Sequence, residues 1–242
     1  MSRFFVAPQD INGDFVRLGE GDSVHASRVL RMRPGDALTV CDGAGRDYEC
    51  VVESLGPQVA ARIISGSPCP AEPGVGVTVY QCLPKGDKMD TVIQKSVELG
   101  AAAVVPVMSK NCVVRLSPSD AAKKTARWQK IAKAAAEQSG RGIIPQVAEP
   151  VSFGDAVSMM EKAPRRLIFY ENEKHMHLTS LLDGDVSSLS FIVGPEGGFD
   201  RSEIDFAIGR GLTSVSLGRR ILRTESVALC VLSCVMFATG NL

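Results

Sequence analysis

From Val75 onward the chain alternates short apolar, β-branched runs with longer helical stretches, and few folds accept that alternation. The strand-like runs are Val75–Leu83, Ala103–Val107, Leu167–Tyr170, Leu189–Val193 and Ser214–Leu217. Between them the spacing predicts helices over Lys88–Leu99, Pro118–Ser139, Phe153–Glu161, Arg201–Arg210 and Glu225–Ala238. Met89, Val92, Ile93 and Val97 share one face of the first helix, and Gly100 stands where a helix-ending glycine belongs. Strand, helix, strand in repetition builds a parallel sheet, because parallel neighbours need a long crossover. The expectation is an α/β domain with helices on both faces of its sheet.

The residues before Val75 read differently. Residues 1–70 hold seven arginines and no lysine, and the first lysine is Lys85. The stretch Ser67-Pro68-Cys69-Pro70-Ala71-Glu72-Pro73-Gly74 carries three prolines, which cannot donate to a sheet ladder, so it reads as a linker. We place a boundary there, giving domains 1–70 and 74–242. In the first, Ala37–Cys41 and Tyr48–Glu53 flank Asp42-Gly43-Ala44-Gly45, a hairpin signal, and Val59–Ile64 offers a third strand. His25–Met32 reads as a short helical segment stopped by Pro34-Gly35. A small β-barrel fits this spacing.

Charge restricts the partners. Lys+Arg and Asp+Glu both number 27, so no global field draws the chain to nucleic acid or membrane. Basic residues gather locally in Lys110, Arg115, Lys123, Lys124, Arg127, Lys130 and Lys133, against Asp120 alone, and again in Arg28, Arg31 and Arg33. One such run is ordinarily a solvated helix face; two in a neutral chain favour a polyanion-binding surface. Seven cysteines, an odd number with no Cys-x-x-Cys, suit free thiols in a reducing compartment. The N-terminus lacks a signal-peptide run, and the apolar stretch Val227–Ala238 is far short of the ~20 residues of a membrane span. A cytoplasmic protein without membrane contact is expected. Cys230 and Cys234, one turn apart in that stretch, read as core thiols, and Trp128 as packing rather than base stacking. His175-x-His177 has no further ligand at metal spacing, so no metal is expected.

Two segments point to chemistry. Ile192-Val193-Gly194-Pro195-Glu196-Gly197-Gly198-Phe199-Asp200 ends a buried strand in glycines and opens a helix at Asp200, with Glu203 completing a capping box. Ligands of open α/β sheets bind beyond the carboxyl ends of strands, where glycine lets backbone approach closely. A tight turn needing positive φ is the plainer alternative. Leu217-Gly218-Arg219-Arg220-Ile221-Leu222-Arg223-Thr224-Glu225 likewise lies between a strand and a helix, and the two loops are expected side by side around one pocket. The spacing is not G-x-G-x-x-G, which counts against a nicotinamide-dependent oxidoreductase.

With those loops the chain resembles the RsmE family of bacterial 16S rRNA uridine N3-methyltransferases, of the SPOUT or trefoil-knot superfamily. The resemblance runs over nearly the whole chain. It is carried by Arg3-Phe4-Phe5, His25 with Val29-Leu30-Arg31, Gly35-Asp36, Lys85-Gly86-Asp87-Lys88-Met89-Asp90, Gln94-Lys95, Glu98-Leu99-Gly100, Glu137-Gln138-Ser139 with Arg141, and the two glycine loops. It implies a SPOUT-type knotted parallel sheet preceded by a PUA-like β-barrel that binds RNA. It further implies a homodimer, S-adenosylmethionine as cofactor, and a decoding-region uridine of 16S rRNA in the assembled 30S subunit as substrate. The carried-over cofactor residues are Gly194, Pro195, Glu196, Gly197, Gly198, Leu217, Gly218, Ile221, Leu222, Arg223 and Ser226. Arg223 is the candidate cation for the uracil anion, and Glu196 the candidate to orient Arg223 or accept the N3 proton. RNA placement falls to Arg3, His25, Arg28 and Arg31 in the barrel, with Lys88 and Arg141 from the catalytic domain. One departure stands out: where relatives carry Ser-Glu-Arg, this chain has Ser109-Lys110-Asn111, so no RNA or interface role is carried over there. A non-catalytic RNA-binding factor would need no glycine loops; a knotted methyltransferase acting on another RNA is the stronger alternative.

Overall fold

In the computed structural model, which describes residues 2–182 and 186–242, the hairpin forms where its glycines predict. Gly43 and Gly45 take positive φ, and Asp42 Oδ1 accepts the backbone N–H groups of Ala44 and Arg46. The turn joins β4 (Ala37–Cys41) to β5 (Arg46–Ser54), within a curled sheet that also holds β1 (Ser2–Phe5), β2 (Ile11–Asn12), β3 (Phe15–Arg17) and β6 (Ala60–Pro68). The order is β1-β4-β5-β6-β3-β2, with β1 parallel to β4 and every other pair antiparallel. Alternate residues point inward, so Val16, Leu18, Leu38, Val40, Val52, Val59 and Ala61 close the core, each Val or Leu contributing about 1.5–3 kcal/mol. A short helix, α1 (Glu20–Val24), runs into a π-helical turn at His25–Val29.

Two expectations for this unit change. Pro68 belongs to β6 rather than to a linker, paired with Arg46 at the very end of the ladder, where the missing N–H costs nothing. Residues Ala136–Ile144, assigned by sequence to the second domain, cluster with Met1–Glu72. Glu72 explains this: its carboxylate accepts from the Arg141 guanidinium and from the backbone N–H of Gly142 and Ile143. Gly142 meanwhile packs so tightly on Cys69 that a Cβ there would lie 2.6 Å from the Cys69 Cβ.

The second unit comprises Pro73–Ala135 and Pro145–Leu242. In chain order it contains β7 (Gly76–Cys82), α2 (Lys88–Glu98), β8 (Ala103–Met108), most of α3 (Pro118–Ser139), β9 (Gln146–Val147), β10 (Val151–Ser152), α4 (Phe153–Met160), β11 (Arg165–Phe169), β12 (Ser188–Val193), α5 (Arg201–Gly209), β13 (Thr213–Val215) and α6 (Thr224–Ala238). All its strand pairs are parallel, in the order β10-β8-β7-β12-β11-β13, with β9 on β8. The two-residue strands β9 and β10 are too short to leave a periodic signal. Contrary to the expectation from sequence, the strands that carry the glycine loops are not neighbours, because β11 lies between them. Phe169 pairs with Val193 on one side and Val215 on the other, so the three carboxyl ends finish level. That places the β11 end in the same crevice.

Helix α6 buries Ala228, Val231, Leu232, Val235 and Met236 and packs on α2. Cys230 and Cys234 are not core thiols: each lies about 100° round the helix from Val231 or Val235, leaving Cys230 half-buried and Cys234 exposed. Trp128 is buried and donates its indole N–H to Asp90, a packing role. No helix among the described residues is long and apolar enough to cross a membrane.

Candidate functional site

Three strand ends and their loops enclose a cavity of about 620 Å³ in the second unit. Its walls are Phe169–Glu171 after β11, Val193–Phe199 after β12, and Val215–Thr224 after β13, with Lys88 and Val227 completing it. All the sequence-predicted cofactor residues line it except Ser226. That serine sits exposed on α6 with its side chain turned from the cavity; Thr224 and Val227, three apart and hence on one helix face, take that wall.

The loop after β12 is fixed by contacts from outside it. Gln81, fully buried in β7, pairs in register with Val193 and donates from Nε2 to Thr224 Oγ1 at 2.8 Å. Thr224 Oγ1 in turn donates to the Gly194 carbonyl at 2.6 Å. Asn111 Nδ2 reaches the carbonyls of Gly197 and Gly198, each at 3.2 Å. Lys110 Nζ pairs with Asp200, and its backbone N–H donates to Glu203 at 2.8 Å, which steadies the capping box that starts α5. The departure at Lys110-Asn111 is therefore a brace for the glycine loop.

The glycines answer to space as well as to conformation. At Gly194 a Cβ would press on the Phe199 ring at 3.2 Å. Gly198 has φ of +65° and a carboxylate oxygen of Glu171 2.6 Å from where its Cβ would stand. No other residue fits there without displacing both.

Glu196 is paired with Lys88 rather than with Arg223. Its Oε1 accepts from Lys88 Nζ at 2.9 Å and from the backbone N–H of Lys85 at 3.1 Å. Burial works to raise its pKa, but the Lys88 and backbone hydrogen bonds outweigh burial and hold the carboxyl below its usual range. A carboxylate held ionised this way is a weak proton acceptor, and its contacts tie the glycine loop to Lys85 and Lys88. Lys88, expected on RNA, is raised first by Glu196 and also lies 3.3 Å from Glu225. It stands at the cavity wall between two carboxylates. Arg223 occupies the N-cap position of α6, where its carbonyl accepts from Ser226 and Val227, while its guanidinium is exposed at the cavity and makes no hydrogen bond or ion pair with a described residue.

The remaining RNA candidates separate into two groups. His25, Arg28 and Arg31 share one exposed turn, with Val24, Val29 and Leu30 also exposed there, and Arg31 holds a positive φ of 53°. Arg3 and Arg141 are instead spent inside the first unit. Arg3 pairs with Asp47 at 2.5 Å and donates to the Arg141 carbonyl; Arg141, 4% exposed, pairs with Glu72. In the basic run, Lys110 is paired with Asp200, Arg127 with Asp90, and Arg115 donates to the Ser109 and Lys110 carbonyls. No cluster of three or more metal-binding side chains occurs among the described residues.

Gln81 and Glu171 went unnoticed in the sequence, and Asn111 and Thr224 were noted there without a role. A lone glutamine in the apolar run Val77–Cys82 and a carboxylate just past a strand end were the available signals.

Comparison with known proteins agrees with this geometry. Residues 71–236 match the family model of the RNA methyltransferase domain, and residues 18–63 that of the RNA methyltransferase PUA domain. The chain is 35% identical over 227 residues to a ribosomal RNA small subunit methyltransferase E from Bacillus subtilis, covering 90% of this chain and 89% of that protein. A Mycobacterium bovis protein of the same description is 32% identical, with 93% and 88% covered. Among solved structures, ribosomal RNA small subunit methyltransferase E from Neisseria gonorrhoeae, bound to S-adenosyl methionine, superposes with a TM-score of 0.86 at 35% identity, covering 98% of this chain and 97% of that one. A Legionella pneumophila methyltransferase with bound cofactor gives 0.85 at 32% identity, with 98% and 97% covered. The expected α/β parallel sheet with a PUA domain in front of it is borne out.

Proposed function

Because the chain belongs to the ribosomal RNA small subunit methyltransferase E family, we propose that it methylates N3 of one decoding-region uridine in 16S rRNA, within the assembled 30S subunit. The observation that carries the reading is the cavity at three level strand ends, walled by two braced glycine loops. S-adenosylmethionine fits it chemically: the walls offer backbone amides and carbonyls, apolar surface from Leu217, Ile221 and Leu222, and glycines where a Cβ would intrude. Bound there, it supplies a methyl group already activated as a sulfonium.

The chain's own residues do the rest. Backbone of Gly194–Gly198 and Leu217–Leu222 holds the cofactor, while Thr224 and Asn111 keep that backbone in place. Uracil N3 is a weak acid that attacks well only as its anion, so its proton passes to solvent water as the N3–methyl bond forms and the methyl–sulfur bond breaks. A cation near O2 or O4 stabilises that anion, and Arg223, unpaired at the cavity, is the residue for the task. Lys88 and Glu196 anchor the loop. RNA is held by the turn carrying His25, Arg28 and Arg31, with the target base unstacked into the pocket. Arg3 and Arg141 shape the unit that presents this turn. We extend the proposal to a catalytic domain whose C-terminal part is threaded as a trefoil knot. The protein acts as a cytoplasmic homodimer, for which the apolar α6 face with Phe237 and Cys234 exposed is suited.

The test is methyl transfer from labelled S-adenosylmethionine to 30S subunits and to naked 16S rRNA from a strain lacking this gene, with the base mapped by mass spectrometry. Label at N3 of one decoding-region uridine, on 30S and lost in Arg223→Ala, is the expected result. Label on another base or RNA would overturn the substrate assignment.

A further inference from the structure

The stretch Tyr170–Glu173 leaves β11 at the centre of the cavity. Three of its four side chains are engaged locally: Asn172 donates to the Tyr170 hydroxyl, and the Glu173 carboxylate accepts the backbone N–H groups of Lys174, His175 and Met176. Glu171 differs. It lines the cavity, its Oε1 lies against Gly198, and it has no hydrogen bond or ion pair with a described residue. The other carboxylate on the cavity wall, Glu196, is occupied by Lys88 and the Lys85 N–H.

Position narrows the role. In parallel sheets that bind nucleosides, a glycine loop ends one strand, and a carboxylate at the end of the adjoining parallel strand reaches the ribose hydroxyls. Here β12 carries the glycine loop, and β11, its hydrogen-bonded parallel neighbour, carries Glu171 two residues past its end. A carboxylate can accept two hydroxyl hydrogen bonds at once. The competing partner, a sulfonium, is disfavoured: an anion beside it would stabilise the reactant's charge more than that of a transition state in which the charge is vanishing.

We propose that Glu171 is the acceptor that holds the ribose diol of the nucleoside cofactor, an assignment that rests on the cofactor reading above. It makes Gly198 necessary twice, for its backbone turn and for leaving room for the carboxylate.

The test is isothermal titration of the full-length protein with S-adenosylhomocysteine, with 5′-methylthioadenosine, and with 2′,3′-dideoxy-5′-methylthioadenosine. A hydrogen bond to a charged group is worth about 10- to 100-fold. Glu171→Gln should weaken the first two ligands by that factor alike. It should leave the dideoxy ligand no weaker than it already is with the wild type, a coupling that general destabilisation would not produce. Glu171→Asp, with an unchanged melting temperature, should recover part of the loss. Loss confined to S-adenosylhomocysteine would place Glu171 on the amino-acid end and overturn the proposal. So would equal loss with the dideoxy ligand, or unchanged affinity with only turnover reduced. Failure of the wild type to bind S-adenosylhomocysteine would overturn the cofactor reading and this assignment with it. Normal wild-type binding with an indifferent Glu171→Gln overturns this assignment alone.

Discussion

Thr224→Val removes one hydroxyl and keeps the side chain's shape, which makes it a clean probe of the loop. The hydroxyl donates to Gly194 O at 2.6 Å and accepts from Gln81 Nε2 at 2.8 Å, at a residue 6% exposed beside one that is fully buried. Valine therefore costs two hydrogen bonds, at about 1 kcal/mol net each, and strands an N–H of Gln81 and the Gly194 carbonyl away from their partners. Gln81 Oε1 already has no hydrogen-bond partner among the described residues, so the glutamine cannot recover the loss by turning over. Together these give about 2–4 kcal/mol. For a chain of this size each kcal/mol moves the melting temperature by about 2–4 °C. The expected drop is thus ~4–16 °C by calorimetry, with Thr224→Ser close to wild type. Because the freed carbonyl belongs to Gly194, S-adenosylhomocysteine affinity should also fall by roughly tenfold, the equivalent of 1.4 kcal/mol. A Thr224→Val protein melting within about 1 °C of wild type, with unchanged affinity, would show that the hydroxyl does not hold the loop.

Other consequences can be checked as directly. Asn111→Ala frees two loop carbonyls and should weaken S-adenosylhomocysteine binding by about tenfold with a smaller effect on melting; Asn111→Ala binding as well as wild type would deny the brace. Gly198→Ala must accommodate a left-handed φ and a Cβ 2.6 Å from Glu171, so cofactor affinity should collapse, and crystals or spectra showing an unmoved loop would contradict this. Glu196 is depressed below its usual 4.5, so its contribution is fully present above that value and is lost as pH falls through the lower folded-state pKa. The melting-temperature advantage of wild type over Glu196→Gln should therefore be flat at neutral pH and shrink only below about pH 4.5; an advantage that already falls between pH 7 and 6 would count against the Lys88 pairing. Arg28→Ala should weaken RNA binding and lower the salt slope by about one, whereas Arg141→Ala should act on stability, since it takes the buried guanidinium away from the half-buried Glu72 carboxylate and leaves that carboxylate only the Gly142 and Ile143 N–H groups. Equal salt slopes for wild type and Arg28→Ala would remove that turn from the RNA surface.

Features that repeat locally were legible in the chain alone. The β-branched runs and the 3.6-residue spacing of Met89, Val92, Ile93 and Val97 gave the strands and helices. Asp200 with Glu203 marked the start of α5, and the glycines of both loops marked the cavity, because a cap or a positive φ is decided within a few residues. Tertiary structure decided which distant residues meet. No periodicity announces that β11 inserts between β12 and β13, that Gln81 lies beneath Thr224, or that Glu72 gathers Arg141 into the first unit. Charge was the poorest guide for the same reason. Arg3, Lys88, Arg141 and Glu196 all look available in the sequence, yet each is paired with an opposite charge between 44 and 108 residues away. A side chain's type is written in the chain; whether its charge is free to act is settled only by what the fold packs against it.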